Sequence, residues 1–265
     1  MSATGAERLS QAFAAARAEK RAALVCYVMA GDPSLEATGA LLAAVDAAGA
    51  DVIELGIPFS DPIADGPVLQ EAAMRALKMK TTLAQVIALA AQHKSLRAPM
   101  VAMGYLNPIL NLGYARFARE AAAAGLCGAI IPDLPLEEAG ELRAQMEQEG
   151  LALVPLAAPT TEGARLRAIT ASAQGFVYTV SVNGVTGARA ELPPELGPRL
   201  AELRSLSKVP VAVGFGVSRA EQVRALAPLT DGIVVGSALV RAHHERGIDA
   251  AASLVRELRA ALGQA

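Results

Sequence analysis

The sequence predicts a closed (β/α)8 barrel with one extra helix at its N-terminus. Three observations carry that prediction. Eight short apolar runs recur along the 265 residues, each followed by a stretch with helical periodicity, at the roughly 30-residue spacing of one βαβ unit. The runs are rich in Val and Ile without clean polar alternation, which suits a parallel sheet covered on both faces. Neither a linker nor a shift in composition divides the chain, so residues 1–265 are expected to form a single domain. Eight units favour closure over an open, doubly wound sheet.

The elements follow in order. Ala6 to Lys20 reads as a helix with Leu9, Phe13 and Ala16 on one side. Leu24 to Ala30 is a strand closed by the turn signal Gly31-Asp32-Pro33. Ser34 caps a helix whose stripe is Leu35, Thr38, Leu41, Leu42 and Val45, and Gly49 ends it. The strand bearing Glu54 comes next, then helices over Leu69 to Leu77 and Leu83 to His93. Pro99 to Tyr105 is a strand ending in the turn Leu106-Asn107-Pro108; Tyr114 to Ala124 is helical. Gly128 to Ile131 is a strand ending at Pro132-Asp133-Leu134-Pro135, followed by a helix over Glu137 to Glu149. Leu151 to Ala157 is a strand, Glu162 to Ala171 a helix. Phe176 to Val182 is a strand ending at Asn183-Gly184-Val185-Thr186-Gly187, and a helix runs from Pro194 to Ser205. Val209 to Val213 ends at Gly214-Phe215-Gly216, and a capping box of Ser218 and Glu221 opens the helix to Leu226. Gly232 to Val235 ends at Gly236-Ser237 with a helical turn after it, and Ala250 to Leu262 is the last helix.

Composition narrows the function classes. A net charge of −2 with evenly spread Lys and Arg is neither a nucleic-acid footprint nor a polybasic membrane patch. Cys26 and Cys127 lie far apart and match no metal or redox spacing. Free thiols, no signal-like segment after Met1 and no apolar run of membrane length lead to the expectation of a cytoplasmic protein. His93, His243 and His244 fall in helical regions without metal spacing, so no metal is expected. No Lys stands at a strand end, which argues against a Schiff-base aldolase.

The chemistry centres on residues 50–67. Strand alternation puts Val52, Glu54 and Gly56 on one face and Ile53 and Leu55 on the other. A carboxylate inside an apolar strand needs a partner or a raised pKa. Pro58, Pro62 and Pro67 exclude helix from the following loop, which holds Asp61 and Asp65 just past the strand. Two readings stand side by side for Glu54: an ion pair with a neighbouring Arg, or a chemical group. In a barrel, functional groups belong at the C-terminal strand ends. There the first half offers acids (Glu54, Asp61, Asp65, Asp133) and the second half offers glycines (Gly184, Gly187, Gly214, Gly216, Gly236). Glycine turns after the last three strands, with a helix opened at Ser218, are the make-up of a phosphate site, set against the plainer reading of tight turns. Glu54 is expected across the barrel from that site with a raised pKa, and Asp65 is expected to stay ionised. Tyr27, Tyr105 and Tyr178, at or near strand ends, either wall a flat ligand or simply pack the core.

These residues resemble one family. The run Leu55 to Pro67 closely resembles a signature of the tryptophan synthase alpha subunit, as do Tyr27 to Pro33, Tyr105 to Pro108, Pro132 to Pro135, Gly184 to Gly187 and Gly214 to Gly216. The resemblance implies a TIM barrel that cleaves indole-3-glycerol phosphate to indole and glyceraldehyde 3-phosphate without a cofactor. It implies that Glu54 is the general acid/base and that Asp65 holds the indole N–H. Tyr27, Met103 and Tyr178 fall on pocket positions, Thr186 and Gly187 on a loop that closes over the site. Gly214, Phe215, Gly216, Gly236 and Ser237 fall on phosphate binders. Asp61, Pro62, Asn107, Pro108 and Pro135 fall near the contact with a beta subunit, which carries pyridoxal phosphate and completes an alpha2beta2 heterotetramer. Met29 and Cys127 depart from the family pattern, where Thr and Asp are expected. Two other readings remain at this stage: a stand-alone lyase releasing free indole, and a non-catalytic regulatory homologue.

Overall fold

The computed structural model describes residues 3–180, 193–214 and 216–263. Its strands are β1 (Ala23–Met29), β2 (Val52–Gly56), β3 (Met100–Met103), β4 (Leu126–Ile130), β5 (Ala152–Val154), β6 (Leu156–Ala157), β7 (Val177–Val180), β8 (Val211–Gly214) and β9 (Gly232–Val235). They form one sheet in the order β5-β4-β3-β2-β1-β9-β8-β7-β6, parallel throughout. The two ends of that order, β5 and β6, are consecutive in the chain and parted by Pro155. Proline cannot donate to a ladder, so the expected strand Leu151 to Ala157 breaks there. The Pro155 carbonyl still accepts from Tyr178 N–H at 3.0 Å. Nine segments thus fill the eight places of a nearly closed barrel.

Helices alternate with the strands: α1 (Gly5–Ala18), α2 (Leu35–Ala48), α3 (Pro67–Lys78), α4 (Leu83–Gln92), α5 (Leu106–Leu112), α6 (Tyr114–Ala123), α7 (Gly140–Gln148), α8 (Gly163–Ala171), α9 (Leu196–Leu206), α10 (Ala220–Leu226), α11 (Ser237–Arg246) and α12 (Ile248–Leu262). The extra helix α1 is opened by a capping box of Thr4 and Glu7. It buries Leu9, Phe13 and Ala16 among barrel-interior residues such as Val25, Val52 and Phe176, with the Phe13 and Phe176 rings 5.2 Å apart. Gly232, the first residue of β9, lies against the Phe13 ring. α1 therefore closes the N-terminal end of the barrel and leaves chemistry to the other end. The expected alternation holds on β2: Val52 packs inside, while Ile53 and Leu55 face the helices.

Several boundaries differ from expectation for local reasons. Leu106-Asn107-Pro108 opens α5 instead of making a turn. Pro108 falls in the first helical turn, where no intrahelical N–H is needed, and the Asp133 carboxylate accepts the Leu106 N–H at 2.9 Å. β4 begins at Leu126, so Cys127 lies within the strand and not before it. Residues 135–139 form turns, with Glu138 N–H donating to the Pro135 carbonyl, and α7 starts only at Gly140. α9 starts at Leu196, after Pro193-Pro194. The helix after β9 is ten residues long. The capping box at α10 is shifted by one residue: the Gln222 amide oxygen accepts from the N–H groups of Ser218 and Arg219 at 2.9 and 3.1 Å. Glu221 instead pairs with Arg224 at 3.1 Å. Among the described residues no helix is long and apolar enough to cross a membrane.

Candidate active site

β2 delivers Glu54 to the C-terminal end of the barrel interior, where it is 1% exposed. Neither carboxylate oxygen has a hydrogen-bond partner among the described residues. Among the described residues no ion pair holds Glu54: buried Arg21 pairs with Asp51 at 2.5 Å and part-buried Arg75 with Asp32 at 2.7 Å. Burial first, and the charge of Asp65 second, push the Glu54 carboxyl up to about 8. Two residues on, Gly56 makes room for Tyr27: a Cβ there would stand 2.2 Å from the Tyr27 hydroxyl. Register pairs Tyr27 with Glu54 across β1 and β2. The Tyr27 hydroxyl donates to the Met29 sulfur at 3.8 Å.

Asp65 stands on the irregular segment between β2 and α3. The segment leaves β2 with Ile57 N–H on the Met103 carbonyl at 2.7 Å. It folds inward so that Asp65 is half-buried. Burial pushes its carboxyl up to about 6, and a hydrogen bond from the Tyr105 hydroxyl pulls it down. Asp65 is thus mostly ionised at neutral pH, as expected, but with less solvent than a surface loop would supply. Tyr105, expected to wall a flat ligand or pack the core, does not line the cavity and instead supports the Asp65 loop. It stacks on Phe59 at 5.2 Å, accepts the Ala64 N–H at 3.0 Å and holds the Asp65 carboxylate. A hydroxyl-bearing aromatic at a strand end was the available signal; its distance from the Asp65 loop in sequence hid the pairing.

One cavity of about 1080 Å³ opens at this end of the barrel. Glu54 and Asp65 line it together with Tyr27, Met103 and Tyr178, so the structure brings these five candidates into one space. Gly214, Gly216, Gly236 and Ser237 line the same cavity. Gly236 does not lie straight across from Glu54, since β1 alone separates β2 from β9. The candidates Thr186, Gly187 and Phe215 lie outside the described residues.

The end with the glycine turns, expected to bind an anion, differs from expectation in one respect. The Ser218 and Arg219 N–H groups are taken by Gln222, so they are not offered to a ligand. At Gly236-Ser237 the internal bonds of α11 begin with Leu239 N–H on the Gly236 carbonyl at 2.9 Å. The N–H groups of Ser237 and Ala238 precede that first bond and suit an anion at the positive end of the helix. The cavity's two arginines are engaged away from the glycine turns, Arg143 with the Ser172 carbonyl at 2.6 Å and Arg165 with Glu137. Gly236 is the clean position for a test. A Cβ there meets only Tyr27 and Leu69 atoms at 3.7 and 4.0 Å, whereas one at Gly214 comes within 2.8 Å of the Tyr178 hydroxyl. Gly236→Val is therefore expected to keep the fold and weaken binding of a phosphorylated ligand roughly ten- to hundredfold, the worth of a charge-assisted hydrogen bond. Gly236→Ala should weaken it less. Calorimetric titration with phosphorylated and unphosphorylated ligands measures both.

Of the remaining candidates, Asp61 is exposed, with its carboxylate accepting from the Ser60 hydroxyl at 2.5 Å, and Pro62 is half-buried. Asn107 and Pro108 are on the first turn of α5. These four do not line the cavity, whereas Pro135 does.

Two carboxyls with separated pKa values in one apolar cavity divide acid and base roles. With Glu54 near 8 and Asp65 near 6, the state with Glu54 protonated and Asp65 ionised dominates between those values. A reaction needing that state should rise through about pH 6, fall through about pH 8, and lose its acid limb in Asp65→Asn. A pH profile of kcat/KM checks both limbs.

Residues 13–264 match the family model described as tryptophan synthase alpha chain. The chain is 47% identical over 256 residues to the tryptophan synthase alpha chain of Synechococcus elongatus, covering 96% of each. It is 49% identical over 234 residues to that of Carboxydothermus hydrogenoformans, covering 88% of each. Its structure is similar to that of Mycobacterium tuberculosis tryptophan synthase, with a TM-score of 0.91 and 38% identity over 98% of this chain and 99% of the other.

Proposed function

The chain belongs to the tryptophan synthase alpha chain family, a family of lyases, and on that premise we propose that it cleaves indole-3-glycerol phosphate to indole and glyceraldehyde 3-phosphate. The observation that carries the reading is a pair of carboxyls, Glu54 fully buried and Asp65 half-buried, lining one cavity that ends at a helix N-terminus.

Phosphate sits at Gly236 and Ser237, with Gly214 and Gly216 beside it, and the indole lies between Tyr27, Met103 and Tyr178. Protonated Glu54 gives its proton to the ring carbon that bears the glycerol chain. Positive charge spreads to the ring nitrogen, whose N–H donates to ionised Asp65. Glu54, now a carboxylate, takes the proton of the adjacent hydroxyl. The carbon–carbon bond breaks, its electron pair returns to the ring, and the aldehyde forms. Both protons pass through one side chain, so no cofactor is needed. Thr186, Gly187 and Phe215 keep the roles that the resemblance implies.

Indole passes to a beta subunit that carries pyridoxal phosphate, in an alpha2beta2 assembly of the cytoplasm. The proposed contact residues Asp61, Pro62, Asn107 and Pro108 are flanked by two exposed apolar side chains, Ile63 (82%) and Leu110 (55%), as a docking surface requires. Pro135 lies at the cavity itself, where a docked partner would meet departing indole. Asp65, on a loop, is less firmly held than Glu54, on a strand. A partner that touches the base of that loop raises the fraction of time the site is assembled. The test is indole release by the chain alone and with saturating beta subunit. Slow release alone and faster release with the partner is expected. Full activity without response to the partner would favour a stand-alone lyase, and no release in either case would leave a regulatory homologue.

A further inference from the structure

We propose that Arg75 and Asp32 are positioning residues whose ion pair sets where Asp65 stands relative to Glu54. The proposal rests on the reading of Asp65 as the carboxylate that holds the indole N–H.

Asp65 directly precedes Gly66, the N-cap of α3, so the placement of α3 decides where the loop ends. Gln70, in the first turns of α3, donates from its side chain to the Asp65 carbonyl at 2.8 Å. The buried face of α3 is made of Ala72, Ala73 and Ala76. Alanines offer low ridges and shallow grooves, so packing alone resists sliding of this helix weakly. Arg75 supplies the directional contact. Its Nε and Nη2 donate to the two carboxylate oxygens of Asp32, each at 2.7 Å. The Asp32 side chain is 3% exposed and that of Arg75 24%, and a two-point fork fixes direction as well as distance. Just beyond α3, Thr81 packs on Gly31, where an added Cβ would stand 2.1 Å from its hydroxyl. Helix and turn are therefore joined at two places.

Asp32 is tied to the strand pair that carries Glu54. It follows β1, and β1 pairs with β2 in the register Tyr27 to Glu54 and Met29 to Gly56. Glu54 is fixed by the sheet. The Arg75–Asp32 pair brings the far end of the Asp65 loop into the same frame. Neither residue lines the main cavity, so neither contacts the substrate.

Arg75→Lys keeps the charge and loses the fork. In the full chain with its beta partner it is expected to lower kcat roughly ten- to hundredfold, the scale for a misplacement of about 1 Å, with KM changed by less than about threefold. The decisive measurement repeats the substitution in an Asp65→Asn background. A residue acting through Asp65 should then cost less than about twofold, because the group it places is already gone. A structural role would give the same loss in both backgrounds, and that result would overturn the proposal. So would an unchanged kcat in an otherwise active parent, which leaves the lyase reading intact. A parent chain that releases no indole overturns that reading and this one together. Asp32→Asn, which keeps the side-chain shape, is the second variant: the same background dependence supports the pair, and its absence overturns it even where Arg75→Lys fails to fold.

Discussion

Glu54→Gln is expected to lower indole release by roughly 10²–10⁴, the range lost with a positioned general acid/base. Gln keeps the volume and the planar end but can neither give a proton to the ring nor take one from the hydroxyl. Because both proton transfers pass through this side chain, the loss should lie at the upper part of that range. Binding of a product or analogue should change little, since the phosphate end and the ring walls are intact. Near-normal turnover would remove Glu54 from the reaction.

The same substitution should stabilise the protein. The Glu54 carboxyl is pushed up to about 8 in the fold from its ordinary 4.5, so the folded state holds this proton more tightly than the unfolded state does. The native state carries no penalty from it below pH 4.5, an increasing one from there to about pH 8, and a constant one above. At neutral pH the penalty is on the order of 3 kcal/mol at 1.36 kcal/mol per pKa unit, less whatever burying the Gln amide costs. Denaturant unfolding of the two proteins from pH 4 to 9 should show a stability difference that grows across that window. A difference independent of pH would mean that Glu54 is not held protonated by its surroundings.

Asp65→Asn should lower kcat by roughly 10²–10³, the scale for removing a preorganised electrostatic contact to charge that develops in the transition state. KM should move much less, because the ground-state indole N–H is a neutral donor that an amide oxygen can still accept. Tyr105 remains to hold the loop, so the fold should be unaffected. A change confined to KM would show that Asp65 binds the ring and does not answer its charge. Stopped-flow and steady-state measurements of indole release separate the two cases.

The legible part of this protein was whatever depends on near neighbours in sequence. Apolar runs and helical stripes repeat at the length of one βαβ unit, so the barrel, its extra N-terminal helix and the inward face of Glu54 followed from periodicity alone. The prolines after β2 marked the Asp65 loop, because a missing N–H and a restricted φ act locally. Glycine turns on successive strands marked, for the same reason, the end of the cavity proposed to hold phosphate. What the tertiary structure decided involves groups distant in the chain. Whether Glu54 met an Arg depended on where the arginines lie after folding, and among the described residues Arg21 and Arg75 pair with Asp51 and Asp32 at 2.5 and 2.7 Å. Which helix N-terminus is available turned on Gln222 reaching back to Ser218 and Arg219, a choice between two adjacent acceptors that spacing does not resolve. The inward fold of the Asp65 loop depends on Tyr105, forty residues away in sequence, whose hydroxyl accepts from Ala64 at 3.0 Å. Periodicity encodes which face of an element is buried, but a pKa is set by everything within a few ångströms, and that company is assembled only when the barrel closes.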